Sequence, residues 1–251
     1  MTKFCISEFG NLERHLAKAK ELSLGFEIQT FCDPQQLDNR QNVLPSLKAK
    51  LAGLPSLSIH GSFSDLAPAS RDPLIVEATR LRFRQAHEVA VALGAQRVVL
   101  HSGFMPKTYA PDVWHKNTVA FWQNFLRDIK DDIHFHIENV YEDDPGILAR
   151  LIDALNTPQV SVCLDVGHVN ANSTRPIQEW TEMLNDRIRH VHLHNNGGIC
   201  DDHSGLSDGT LNMKDVMELL SKHSPQATWS LETRDLEGSL KWLEAHKIQI
   251  A

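Results

Sequence analysis

Short apolar runs alternate along the chain with longer stretches whose apolar residues recur at helical spacing. The short runs predict strands at Lys3–Ser7, Gly25–Thr30, Ser56–His60, Arg97–His101, His134–Glu138, Val160–Asp165, His190–His194 and Thr228–Glu232. The longer ones predict helices at Leu12–Glu21, Val43–Leu51, Pro73–Leu93, Pro111–Lys130, Pro145–Leu155, Pro176–Leu184, Met213–Lys222 and Leu236–His246. The strands are mostly apolar with little alternation, as expected when both faces are buried. Proline opens several helices, as in Asp72-Pro73, Asp144-Pro145 and Arg175-Pro176, and in the first two the aspartate supplies an N-cap. Gly25 and Gly94 fall where the helices before them should end. Strand–helix units repeated in order, with no linker or low-complexity stretch, predict an α/β fold: a (β/α)8 TIM barrel in a single domain over residues 1–251. An open doubly wound sheet would need a glycine-rich phosphate loop after the first strand, and Glu8-Phe9-Gly10-Asn11 is not one.

Composition narrows the partners. A length of 251 residues suits one barrel with a large core. The net charge of −7 disfavours a broad nucleic-acid or anionic-lipid footprint. Cys5, Cys32, Cys163 and Cys200 show no CxxC spacing, which argues against a zinc–thiolate site or a disulfide framework and for a reducing, cytoplasmic compartment. No apolar run approaches the roughly 20 residues that span a bilayer, and MTKFCISEFG holds no signal core, so no membrane partner is expected.

Candidate chemistry sits at the strand ends. His60 closes SLSIH, His101 closes RVVLH, Glu138 closes HFHIE, Asp165 closes VSVCLD with His168 just beyond, and Glu232 closes ATWSLE. HVHLH adds His190, His192 and His194, which share one parity, and Asp201, Asp202 and His203 follow in the next loop. One histidine at one strand end is ordinarily structural. Successive strands presenting His, Asp or Glu at the same end are a different matter, because each such group costs several kcal/mol when buried unpaired. In a barrel all these ends open onto one face, where active sites lie. A set of nitrogen and oxygen donors without cysteine suits divalent ions, one to three of them: zinc first, with manganese, iron or cobalt also compatible. His134 and His136 flank Glu138 on its own side of the strand and are expected inside the barrel or behind the ligands. His87, His115, His223 and His246 fall in helices and are read as surface or packing residues, Arg80, Arg82 and Arg84 as a solvated helix face, and Phe63 as a pocket wall.

On IHGSFSDLAP, LGAQRVVLHSG, IEN, CLDVGH, VHLHNNGGICDDHSGLSDG and LET, the chain resembles the xylose isomerase-like TIM barrels, which join sugar isomerases and epimerases to endonuclease IV. The resemblance runs over nearly the whole chain. It implies that Glu138, Asp165, His192 and Glu232 form the metal site shared by the isomerases and epimerases. It also implies that His60, His101, His168, Asp201 and His203 match the further ligands of the trinuclear endonuclease pattern. There are departures: Asn195 where the family often has Asp, Ser207-Asp208-Gly209 where it has Gly-Glu-Gly, and Gln29 where strand two of the isomerase branch often ends in Glu. The arginine that many ketose epimerases place after the strand-seven histidine is absent from Asn195-Asn196-Gly197-Gly198.

The resemblance leaves two chemistries in competition. The leading one is a divalent-metal-dependent sugar or sugar-phosphate isomerase or epimerase. Glu138 and Glu232 are its catalytic carboxylates, moving a proton through a metal-stabilised ene-diolate. The alternative is endonuclease IV-like hydrolysis of a phosphoester, small or in abasic-site DNA, by a multinuclear zinc centre. The expected partner is a small sugar or phosphoester; acidic charge and short loops disfavour nucleic acid. A metal-containing binding protein without catalysis is a third class, disfavoured because both carboxylates are present.

Overall fold

The computed structural model describes residues 4–250. Eight strands, β1 (Phe4–Ser7), β2 (Gly25–Ile28), β3 (Leu57–His60), β4 (Arg97–His101), β5 (His134–Glu138), β6 (Val160–Asp165), β7 (Ile188–Leu193) and β8 (Thr228–Leu231), close into one barrel in sequence order. Every strand runs parallel to its neighbours, and β1 pairs with β8 to close the ring. The helices are α1 (Leu12–Glu21), α2 (Pro34–Asp38), α3 (Arg40–Leu51), α4 (Pro73–Leu93), α5 (Pro111–Leu126), α6 (Gly146–Leu155), α7 (Val166–Asn172), α8 (Ile177–Leu184), α9 (Met213–His223) and α10 (Leu236–Ala245). None of them is long and apolar enough to cross a membrane.

Local chemistry sets most boundaries. Asp72 caps α4 by accepting the Leu74 N–H at 2.9 Å, and Asp144 accepts the Gly146 N–H at 2.9 Å where α6 begins. Gly94 ends α4 in the left-handed region, at φ 72°. Gly25 is not a cap: α1 ends at Leu22, and Gly25 opens β2, where a Cβ would lie 2.4 Å from Ser56 Oγ. Strand two stops short of Thr30, which begins a 3-10 turn, Thr30–Cys32. Two short helices were not expected. Asp33 caps α2, and α7 leaves β6 directly, with Asp165 as its N-cap. Lys3, placed in the first strand by its pattern, lies outside the described residues.

The aromatic core between barrel and helices is densest around Phe83, Trp122, Phe125 and Phe135, whose rings meet at centroid distances of 5.4–6.3 Å. This packing fixes β5 against α4 and α5, and so fixes the height of Glu138 at its end.

Candidate metal centre at the barrel mouth

Parallel register brings the predicted residues to one level. His101 stands opposite Glu138 across the β4–β5 pair, and Asp165 stands opposite His192 across β6–β7. The four residues are carried by neighbouring strands, so no loop conformation is needed to bring them together. Glu138 lies at the centre. Its Oε2 is 3.1 Å from His60 Nε2 and 3.5 Å from His101 Nε2, and its Oε1 is 3.3 Å from both His168 Nδ1 and His192 Nδ1. His192 Nδ1 also lies 2.9 Å from Glu232 Oε2 and 3.6 Å from Asp165 Oδ2. On the far side, Asp201 Oδ2 is 3.2 Å from His168 Nε2 and 3.0 Å from His203 Nε2. Asp202 is exposed and joins no such group among the described residues.

The donor set fits divalent ions. Bonds of about 2.0–2.2 Å in a tetrahedron put donor atoms about 3.3–3.6 Å apart. Several of the separations above fall in that range. Ring orientation adds a second argument. His60, His168 and His203 each place Nδ1 at 2.9–3.1 Å from a backbone carbonyl, of Gly61, Asn139 and Glu232 respectively. A ring that donates Nδ1–H to a carbonyl keeps Nε2 as a lone-pair donor, and here each Nε2 faces a carboxylate. His192 is fully buried, with Nε2 2.9 Å from Glu27 Oε1 and Nδ1 lacking an aligned hydrogen-bond partner among the described residues. An ion among Glu138, Asp165 and Glu232 would satisfy its Nδ1.

Electrostatics tell the same story for the metal-free chain. Burial opposes ionisation of Glu138, Asp165 and Glu232, but the surrounding imidazoles outweigh it and hold all three below the ordinary carboxylate range. Burial works against charge on His203 too, yet Asp201 and the nearby Glu232 and Asp165 raise it to about 9. His101 is pushed down to about 4, by burial above all. The metal-free centre is thus a lattice of imidazole–carboxylate pairs in which protons stand where cations would be neutralised.

Of two further residues at this site, Glu27 was not singled out in the sequence, and His194 was named there but not divided from His192 by parity. Glu27, in the middle of β2, is fully buried, and its Oε1 lies 2.9 Å from His192 Nε2. Its other contacts are His190 Nε2 at 2.8 Å, Ser58 Oγ at 2.9 Å and Ser230 Oγ at 3.2 Å. A carboxylate behind a ligand histidine fixes which ring nitrogen faces forward. The signal was legible: GFEI carries one charge inside an apolar strand. His194 lies just past β7, with Nε2 3.0 Å from Asp165 Oδ1, and stacks on His203 at 4.1 Å. Its ring occupies the space above Gly167, where a Cβ would come within 1.9 Å of it.

The remaining histidines sort as their positions dictate. His136 is inside the barrel, bonded to Ser161 Oγ at 2.6 Å and stacked on His190. His134 is exposed and reaches the Pro158 carbonyl, so only one of the pair faces inward. Arg80, Arg82 and Arg84 pair with Glu77, Asp38 and Asp128 at the surface. Cys163 adjoins His190 and His192, but burial pushes its thiol well up, which disfavours the thiolate that a metal requires. Gln29 donates to Glu232 Oε1, holding the carboxylate from the β2 side.

Glu138 and Glu232 both line a cavity of about 1130 Å³ at the mouth, together with His60, His101, His168, Asp201 and His203. Fold and geometry thus define a (β/α)8 barrel with a histidine–carboxylate cluster at the C-terminal ends of its strands. The chain belongs to the xylose isomerase-like TIM barrel family, whose profile matches residues 16–247. The uncharacterized protein MJ1311 of Methanocaldococcus jannaschii is 25% identical over 212 residues, covering 75% of this chain and 68% of that one. Among solved structures, the TTHB071 protein of Thermus thermophilus, soaked with ZnCl2, superposes with a TM-score of 0.77 at 26% identity over 97% of each chain. A D-tagatose 3-epimerase-like protein gives 0.75 at 23% identity, over 98% of this chain and 96% of the other.

Proposed function

We propose that this protein is a divalent-metal-dependent sugar isomerase or epimerase. The observation that carries the reading is the placement of Glu138, which ends β5, and Glu232, which follows β8, on the cavity floor with His192 between them. Similarity to a D-tagatose 3-epimerase-like protein and to a D-allulose 3-epimerase from Methylomonas, solved with D-allulose, supports it. Zinc soaked into the Thermus thermophilus relative supports a metal in the centre. His60, His101, Glu138, Asp165, His168, His192, Asp201, His203 and Glu232 would hold one to three ions. A bound ion would polarise a substrate carbonyl and lower the cost of charge on its oxygen.

The chain's own groups then move the proton. One carboxylate takes the proton α to the carbonyl, and the C–H electron pair becomes the C=C bond of an ene-diolate. The second, entering the cycle as the carboxylic acid, returns a proton, and the proton held by the first resets the pair for the next turnover. Return to the opposite face gives the epimer; return to the neighbouring carbon, with the hydroxyl proton passing to the former carbonyl oxygen, gives the isomer; neither needs an oxidant. Gln29, bonded to Glu232, aims that carboxylate.

One observation favours a second reading. His60 with His101, and Asp201 with His203, add donors on both sides of the isomerase set, as a multinuclear phosphoester hydrolase would use them. The experiment that separates the two follows isotopes from water into a panel of ketoses, sugar phosphates and abasic-site DNA. Deuterium in a recovered sugar is expected. ¹⁸O in released phosphate, with no deuterium in any sugar, would assign hydrolysis instead.

A further inference from the structure

The mouth has two unlike walls. In a barrel closed in sequence order, the loops after β3, β4 and β5 are neighbours and stand across the mouth from those after β7, β8 and β1. The first arc lines the cavity with Phe63, Ile75, Phe104, Met105, Val140 and Tyr141. Phe63, Ile75, Met105 and Tyr141 are 39%, 38%, 52% and 51% exposed. Across from them the cavity is lined by Asp201, His203 and a single aromatic ring, Phe9, which stacks on His203 at 4.4 Å, while Gln29 and Cys32 after β2 and Asn172 in α7 lie between the two arcs. The apolar wall is continuous with the floor, because Phe63 lies flat on His101 at 4.3 Å and 14°. Exposed apolar side chains gathered at a pocket mark a binding surface.

Charge and size narrow what lies there. No lysine or arginine is among the described residues lining the cavity, while Asp65 and Asp201 are. Arg234, beside the mouth, is turned onto the Phe9 ring at 5.9 Å. A phosphorylated substrate would meet no lysine or arginine on these walls. At about 1130 Å³ the cavity also exceeds the roughly 300–1,000 Å³ that encloses a drug-sized ligand, more than one sugar ring fills.

We propose that the substrate is an uncharged sugar derivative carrying an alkyl or aryl substituent. Its carbonyl-bearing ring lies over Glu138 and Glu232, and its substituent lies against Phe63, Ile75, Met105 and Tyr141. This rests on the isomerase or epimerase reading above and names the substrate class of the same site. A glycoside fits the description: its anomeric carbon is locked, so the carbonyl is a ring ketone, and the aglycone supplies the apolar group.

The test compares methyl and phenyl β-D-glucosides oxidised to the ketone at C3, a free ketohexose and a ketohexose 6-phosphate. The metal-loaded protein is assayed in D2O for deuterium at the carbon α to the carbonyl. Burial of a phenyl group is worth about 10- to 100-fold, so phenyl should exceed methyl in kcat/KM by that much. In Tyr141→Ser and in Met105→Ser the ratio should fall to within about threefold, with melting curves confirming the fold; two sites guard against one local rearrangement. Exchange with equal rates for phenyl and methyl would overturn the inference and leave the isomerase reading standing. So would a preference for the 6-phosphate over the neutral ketohexose. No exchange in any sugar would remove the reading and the inference together. Sedimentation that shows a dimer dissociating in Tyr141→Ser would overturn it by assigning the wall to a second copy of the chain.

Discussion

The floor and the walls of the mouth are built by different means. The floor is strand: His101, Glu138 and Asp165 end β4, β5 and β6, and barrel hydrogen bonding sets their heights. The walls are loop: Phe63, Met105 and Tyr141 come from the segments after β3, β4 and β5. Glu138 and Asp165 are buried and held by several partners each, and His101 is partly buried under Phe63, whereas Met105 and Tyr141 are half exposed. Chemistry that tolerates no displacement belongs on the rigid part, and selectivity can vary on the other without disturbing it. Substitutions in the two regions should therefore fail in different ways.

Glu232→Gln is the sharpest case. The amide keeps an oxygen toward His192 but can no longer take a proton. General acid–base groups supply about 10²–10⁴-fold in rate, so turnover should fall by at least the lower figure while the metal content stays near that of the wild type. Deuterium exchange and elemental analysis check both halves. Unchanged exchange in the variant would remove Glu232 from the chemistry.

Glu27→Gln tests the support beneath the floor. An amide can accept from one ring nitrogen only, so its NH2 would turn against His192 or His190, and the His192 ring would lose its orientation. Partners of this kind typically change metal affinity by about 10–100-fold. Competition with a chelator should show that loss, and ¹⁵N spectra of the histidine rings should show a changed His192 tautomer. An unaltered affinity would mean that strand register alone aims the ring.

These two carboxylates also show what was legible in the chain. Glu232 was, because β8 ends at Leu231 and the mouth opens at the next residue. His60, His101, Glu138 and Asp165 were legible on the same ground. Glu27 was missed although it is as deeply buried as Asp165, because attention to strand ends passes over a charge in mid-strand. His194 shares the parity of His192, and parity alone could not divide them; the structure puts His192 among Glu138, Asp165 and Glu232, and His194 over Asp165 and Asp201. The helices α2 and α7 were missed because five and seven residues are too few to show a period. The two-sided character of the mouth was not legible at all. A loop residue has no fixed parity, and which ones face the cavity depends on the path that the loop takes.

Protons and a bound ion would compete for the proposed centre, which predicts a pH dependence. In the metal-free protein Asp201 and its neighbours raise His203 from 6.5 to about 9. The pair therefore stabilises the fold fully below about pH 6.5, and that contribution disappears as pH rises through about 9. Metal needs the neutral ring, so its affinity runs the other way, rising toward pH 9 by about tenfold per unit for each proton released. Melting curves of the chelator-treated protein and chelator competition, both from pH 6 to 10, should show opposite slopes. Parallel slopes would mean that His203 is not displaced from Asp201 by the ion.

The apolar wall should leave all of this untouched. Tyr141 is half exposed and no floor residue depends on it for a hydrogen bond or an ion pair among the described contacts. Exposed substitutions away from such networks change stability by about 0.5 kcal/mol or less. Tyr141→Ser should accordingly bind metal within about twofold of the wild type, the factor to which that energy corresponds at 25 °C. Chelator competition on the purified variant measures it. A tenfold loss would show that the wall helps to hold the ions, and the division between a strand-built floor and loop-built walls would fail at the residue where it is easiest to test.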